Sequence, residues 1–138
     1  MARSGSYSRK KGHNYERALA IIFRNLGFKY CRTSRAESKL LDDCGVDLTN
    51  LPFLVQAKAG YNKSRPKFEV MYKQIKKALA DNFPPEHELH TLPILVCHKL
   101  DGRGPEFSQW TMTQKDMIKL MEKVYKPIEP IEVEWSDK

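Results

Sequence analysis

The stretch Gly45–Lys58, reading GVDLTNLPFLVQAK, constrains the chain more than any other part of it. Two short apolar runs flank Leu51-Pro52, a pattern that predicts a tight hairpin. With the turn centred there, Asp47 on the first arm lies opposite Gln56 on the second. Side chains alternate faces along a strand, so Gln56 and Lys58 project to one side. Directly opposed residues hold their Cβ atoms about 5 Å apart. A carboxylate, an amide oxygen and an ammonium therefore converge on one patch, a set that can hold a divalent cation beside a phosphate. Asp is depleted in strand-like sequence, which makes Asp47 the position in the run that most needs a reason. Each residue also has an ordinary reading. Asp47 can cap a turn, Gln56 can be a plain polar strand position, and Lys58 can guard a sheet edge.

The rest of the chain supplies one domain around this hairpin. At 138 residues it is long enough to bury roughly two-thirds of its unfolded surface without disulfide staples. Cys31, Cys44 and Cys97 are odd in number and lack CxxC spacing. This predicts reduced thiols in a cytoplasmic compartment rather than a zinc site or a disulfide framework. No apolar run approaches the length of a membrane span, and the charged N-terminus has no signal-peptide core, so neither membrane insertion nor secretion is expected.

Charge is segregated. The net charge is +7 and the sequence pI about 9.3. Residues 1–35 carry nine Lys or Arg against the single acid Glu16. A second basic cluster, Lys58, Lys63, Arg65 and Lys67, follows the hairpin, and the tail from Pro127 is acidic. This distribution points to a polyanion partner.

Residues 1–12 lack periodicity and are expected to form a basic arm. Residues 13–126 are expected to form the domain, and 127–138 an acidic tail. Tyr15, Leu19, Ile22 and Leu26 mark one face of a first helix that Gly27 ends, with Glu16 at the edge of that face. Residues 28–33 read as a strand and 34–44 as a loop containing Ser34, Asp42 and Asp43. After the hairpin, a basic loop leads to a helix with Phe68, Met71, Ile75 and Leu79 on one face, ended by Pro84-Pro85. Leu92–Lys99 reads as a strand covered on both sides. Residues 107–112 read as a last strand, and Thr113–Asp116 resembles a capping box that opens a helix with Met117, Leu120, Met121 and Val124. The order is α-β-β-β-α-β-β-α, helices on a mixed sheet, an α/β domain. His87-Glu88-Leu89-His90 is expected in an exposed loop, and His98 as a satisfied histidine at a strand end.

Lys11-Gly12-His13-Asn14-Tyr15-Glu16-Arg17, then Ser34, then Val46-Asp47, then Gln56-Ala57-Lys58 resemble the motif of the PD-(D/E)XK nuclease superfamily. Within it the likeness is to archaeal-type and phage-encoded Holliday-junction resolvases, over roughly residues 10 to 126. Two positions depart from the pattern. Val46 stands where Pro is usual, and Gln56 stands where Glu or Asp is usual. The resemblance implies a restriction-endonuclease-like core and a Mg²⁺-dependent endodeoxyribonuclease, with Mn²⁺ able to substitute. It implies that Glu16, Asp47, Gln56 and the Ala57 carbonyl hold the metal, that Lys58 orients water or stabilises the phosphorane, and that Ser34 touches a phosphate near the scissile bond. Arg9, Lys10, Lys11, Arg35, Lys63, Arg65 and Lys67 would hold DNA backbone phosphates. The implied substrate is branched DNA, above all four-way junctions, and the implied assembly a homodimer. A restriction-like or nicking nuclease of the same fold, and a non-catalytic DNA-binding module with a decayed site, fit the same residues.

Overall fold

A computed structural model describes residues 5–60, 67–100, 102–124 and 129–132. The chain forms helix α1 (Gly5–Asn25), two short helices α2 (Ser34–Glu37) and α3 (Lys39–Asp43), strand β1 (Leu54–Ala59) and helix α4 (Phe68–Asn82). Strand β2 (Ile94–Lys99), strand β3 (Gln109–Thr111) and helix α5 (Gln114–Val124) complete it. Among the described residues the sheet has three strands in the order β1-β2-β3. β1 runs parallel to β2 and β3 antiparallel to it, so the protein is α/β with a small mixed sheet.

Strand alternation distributes the core between two layers. Val55, Leu95 and Cys97 pack under Tyr15, Leu19 and Phe23 of α1. Leu54 and Ile94 turn to the other face and pack with Cys44, Val46, Ile75 and Leu79. Met71, Ile75 and Leu79 are the buried stripe of α4, as their spacing predicts. Full burial of Ile75 and Leu79 contributes about 1.5–3 kcal/mol each. β2 is the central strand, and its first four residues are buried.

α5 begins as its sequence suggests, with a difference. Thr113 Oγ1 accepts the Asp116 amide at 3.1 Å. The Asp116 carboxylate does not return to the cap. It accepts the Ile94 amide at 3.0 Å and is itself buried, tying α5 to the start of β2. His98 Nε2 lies 2.8 Å from the Gly60 carbonyl, the satisfied strand-end histidine that was expected.

Several expectations need correction. α1 starts at Gly5, so residues 5–12 belong to a helix and not to an arm. Lys and Arg are good helix formers and need no apolar stripe to extend one. The buried stripe of α1 is Tyr15, Leu19, Ala20 and Phe23, while Ile22 and Leu26 are exposed. The face is rotated because the Phe23 ring sits edge-on to Phe28, Phe53 and Trp110, with centroids 6.2, 5.6 and 6.0 Å away. Residues 28–33 form no strand beyond an isolated antiparallel bridge between Thr33 and Leu48. Arginines occupy the carbonyls a ladder would use there. Arg24 and Arg32 both donate to the Cys31 carbonyl, and Arg32 also donates to that of Lys29.

The polar segment 34–44 is two short helices rather than a loop, the second capped by the Ser38 hydroxyl. The His87–His90 segment enters a 3-10 turn, Glu88–Thr91, in which His87 Nδ1 caps the Leu89 amide. The expected hairpin has one regular arm. Residues 46–50 are not a strand, and the chain reverses through bends at 50–53 with Asn50 at φ +59°. The cause lies in Asp47.

Candidate active site

Asp47 sits where two chain segments fork. Its amide donates to the Val55 carbonyl at 2.7 Å, and its own carbonyl accepts the Ser34 amide at 2.8 Å. A regular antiparallel ladder continuing from the first contact would send the Ala57 amide to a main-chain carbonyl. Instead that amide donates to Asp47 Oδ2 at 2.7 Å. The side chain replaces a rung, which is why the first arm never becomes a strand and why the two segments part here. Asp47 bonds on either side of Gln56, to Val55 through its main chain and to Ala57 through its side chain, but the main-chain contact sets Asp47 opposite Val55, one residue from the opposition with Gln56 expected from the sequence. In a strand the N–H and C=O of one residue point to the same edge. The Ala57 carbonyl therefore points into the fork, beside the Asp47 carboxylate.

Burial in this fork raises the Asp47 carboxyl from its ordinary 3.8 to about 7. The Ala57 amide opposes that rise. Negative charge on Glu16 adds to it, Lys58 reduces it, and Asp42 adds to it again. Glu16, Lys58 and Asp42 are thus electrostatic neighbours of Asp47, though they arrive from α1, β1 and α3.

Glu16 lies on the flank of α1 next to its buried stripe, with its side chain 13% exposed. Its Oε2 accepts from Arg35 Nη2 at 3.0 Å. Arg35, expected as a phosphate contact, is in this state the partner of Glu16.

Gln56 carries the second unusual feature. Its Oε1 is buried without a hydrogen-bond partner. Its amide group lies against Gly45, where an added Cβ would stand 2.9 Å from Gln56 Nε2 and 3.4 Å from Ile75 Cγ1. Gly45 also sits at φ +84°, a conformation that favours glycine. The Ser34 hydroxyl, fully buried next to the Asp47 backbone, is the other orphaned side-chain oxygen among the described residues. Buried polar atoms are nearly always paired, so these two oxygens are acceptors that a water or another group would satisfy. Lys58 is half-buried on the same strand face as Gln56, in register with His98.

The donors that Asp47, Glu16, Gln56 and Ala57 could bring to a cation are all oxygens: two carboxylates, an amide oxygen and a main-chain carbonyl. That set suits Mg²⁺ or Mn²⁺ in its chemistry. Among the described residues no cluster of three or more His, Cys, Asp or Glu could hold a metal, so a cation here would lean on Gln56 and the Ala57 carbonyl.

Of the basic residues expected to meet phosphate, Arg9 and Lys10 are exposed on α1, Lys11 is half-buried there, and Lys67 is exposed just before α4. Lys63 and Arg65 lie outside the described residues. Sequence reasoning missed the Arg35–Glu16 pair and the part of Gly45 in seating Gln56. The only signal for the second was a glycine directly before the Val46-Asp47 pair. Comparisons with protein-family models, curated proteins and solved structures returned no match.

Proposed function

We propose that the protein is a metal-dependent endodeoxyribonuclease that hydrolyses phosphodiester bonds in branched DNA, with a restriction-endonuclease-like core and a homodimeric assembly. The observation that carries this reading is the fork. Asp47 interrupts a ladder to hold a half-buried carboxylate on the Ala57 amide, next in sequence to Gln56 with its orphaned oxygen, and Glu16 and Lys58 are its charged neighbours. A purely structural Asp would be paired at no such electrostatic cost. A carboxylate raised in this way is one that gains most from a bound cation.

Glu16, Asp47, Gln56 Oε1 and the Ala57 carbonyl are the residues that would hold Mg²⁺. The metal, when bound, would polarise the phosphate and lower the pKa of water. Lys58 lies close enough to lower the Asp47 pKa, and its ammonium is suited to stabilise charge that develops on the phosphorane. The Asp47 carboxylate is held by the Ala57 amide, so its free oxygen keeps one direction. The Ser34 hydroxyl, unpaired next to the Asp47 main chain, could donate to a phosphate oxygen only after the segment around it opens, since it is fully buried. Gly12 stands one helical turn before Glu16 on the same flank. A Cβ there would meet nothing within 4 Å, so the chain's own packing does not require glycine. Its small size leaves room for a DNA backbone to approach Glu16.

Arg9 and Lys67 supply exposed positive charge, and phosphate contacts of that kind give affinity without sequence readout. The test is cleavage of end-labelled DNA by the wild type and by Asp47→Asn. The reading expects cutting by the first, none by the second, and similar DNA binding by both. Equal cutting by the two would remove Asp47 from the chemistry.

A further inference from the structure

A second site lies on the other flank of α1. A cleft of about 520 Å³ opens between that helix and the ends of β1 and β2. Lys10 and Lys11 enter it from α1, and Lys99 enters from β2, where it stands in register with Ala59. Among the described residues no carboxylate lines it. The Asn14 amide shares the wall, and the floor is apolar, formed largely by Ala18 and Ala59. Three lysines from two elements line this apolar floor, the Lys99 ammonium resting 3.4 Å from the Leu100 carbonyl, and such a set suits a phosphate with its attached deoxyribose. The position is also the one where parallel strands most often bind ligands, at their carboxyl ends.

The two sites are separated by the helix itself. Lys11 and Glu16 are five residues apart, about 140° around the α1 axis. The buried stripe of Tyr15 and Leu19 runs between them and presses onto the sheet. The fork opens on the edge of β1 that faces away from β2, whereas the cleft lies over the β1–β2 junction. One smooth backbone lying in the fork does not also reach the cleft. Two backbones that diverge around α1 do.

We propose, resting on the nuclease reading, that the Lys10–Lys11–Lys99 cleft binds a phosphate of the strand that is not cut, and that this contact selects branched over linear DNA. Lys99 is the residue whose role is new, and it acts on specificity rather than on the chemistry.

The experiment measures binding, with Ca²⁺ in place of Mg²⁺, to a four-way junction and to a linear duplex of matched sequence across a salt series. The proteins are the wild type, Lys99→Gln and, as a second variant at an exposed helical position, Lys10→Gln. For each variant the expected result is about a fivefold loss of affinity for the junction and a salt slope shallower by about one. Duplex affinity should change by less than about twofold. Equal losses on both DNAs, or no loss on the junction from either variant, would overturn the cleft's role and leave the fork reading standing. A wild type that binds neither DNA would overturn both.

Discussion

The Asp47 carboxylate accepts the Ala57 amide at 2.7 Å, in the position a ladder carbonyl would otherwise fill. That one contact ends the strand pairing and holds a half-buried carboxylate in the fork, into which the Ala57 carbonyl also points. Structure and proposed chemistry therefore share a cause, and they can be separated by experiment.

Stability against pH is the first such test. Burial holds the Asp47 carboxyl near 7 in the fold, against 3.8 ordinarily. Between those values the folded chain binds more protons than the unfolded one, so stability falls as pH rises through that window. The difference sets an upper bound of about 4 kcal/mol at pH 8. In EDTA, Asp47→Asn should lose this decline and be more stable than the wild type at pH 8, because an amide oxygen still accepts from Ala57. Parallel urea midpoints for both proteins from pH 4 to 8 would show that Asp47 is not buried as a charge.

Gly45 should tolerate no side chain. At φ +84°, with a Cβ 2.9 Å from Gln56 Nε2, Gly45→Ala is both strained and crowded. A loss of about 1–3 kcal/mol is expected, read from denaturant midpoints. The Gln56 amide must also move, so the Mg²⁺ requirement for cutting should rise in the same variant. A midpoint equal to that of the wild type would mean that the turn at Gly45 relaxes freely.

Gln56 itself can be tested in both directions. Gln56→Glu adds a carboxylate beside Asp47 and Glu16, and the Mg²⁺ concentration for half-maximal cleavage should fall about tenfold, roughly 1.4 kcal/mol. Gln56→Ala removes the orphaned oxygen and should raise it. Identical Mg²⁺ dependence in all three proteins would take Gln56 out of the ligand set.

Arg35 and a divalent cation compete for one carboxylate. Arg35 holds Glu16 Oε2 at 3.0 Å, so a metal must displace it or share the oxygen. Arg35→Gln should therefore bind Mn²⁺ several-fold more tightly than the wild type in the absence of DNA, measured by calorimetry, since it also removes a like charge. Affinity for DNA should fall, because the released guanidinium is the group available to a phosphate. Weaker Mn²⁺ binding would show instead that Arg35 positions Glu16 for the metal.

The parts of the fold legible in the sequence were those with one dominant signal. The stripe of Met71, Ile75 and Leu79, the apolar run that becomes β2, and the stop at Pro84-Pro85 each rest on a single periodicity or a single breaker, and each stands as read. That Asp47 comes back beside the Val55–Ala57 stretch was legible from the turn position, but the register was not, since Asp47 stands opposite Val55 rather than Gln56. What was not legible depends on side chains that replace backbone. The Asp47 carboxylate fills a rung, Arg24 and Arg32 take carbonyls from residues 29–31, and Ser38 caps a helix in a polar stretch. None of these changes an apolar pattern, so periodicity cannot see them. The one-residue rotation of α1 had a similar origin. Aromatic contacts of Phe23 outweighed a stripe that Ile22 and Leu26 completed equally well on paper.

The most direct measurement is incubation of a labelled four-way junction with the purified protein, alongside a linear duplex of matched sequence, in Mg²⁺ and in EDTA. The account predicts cuts in the junction with Mg²⁺, far fewer in the duplex, and none in either with EDTA. Cutting that persists in EDTA, or an intact junction in Mg²⁺ under conditions where the protein binds it, would contradict the assignment of the Asp47 fork as a metal-dependent nuclease site.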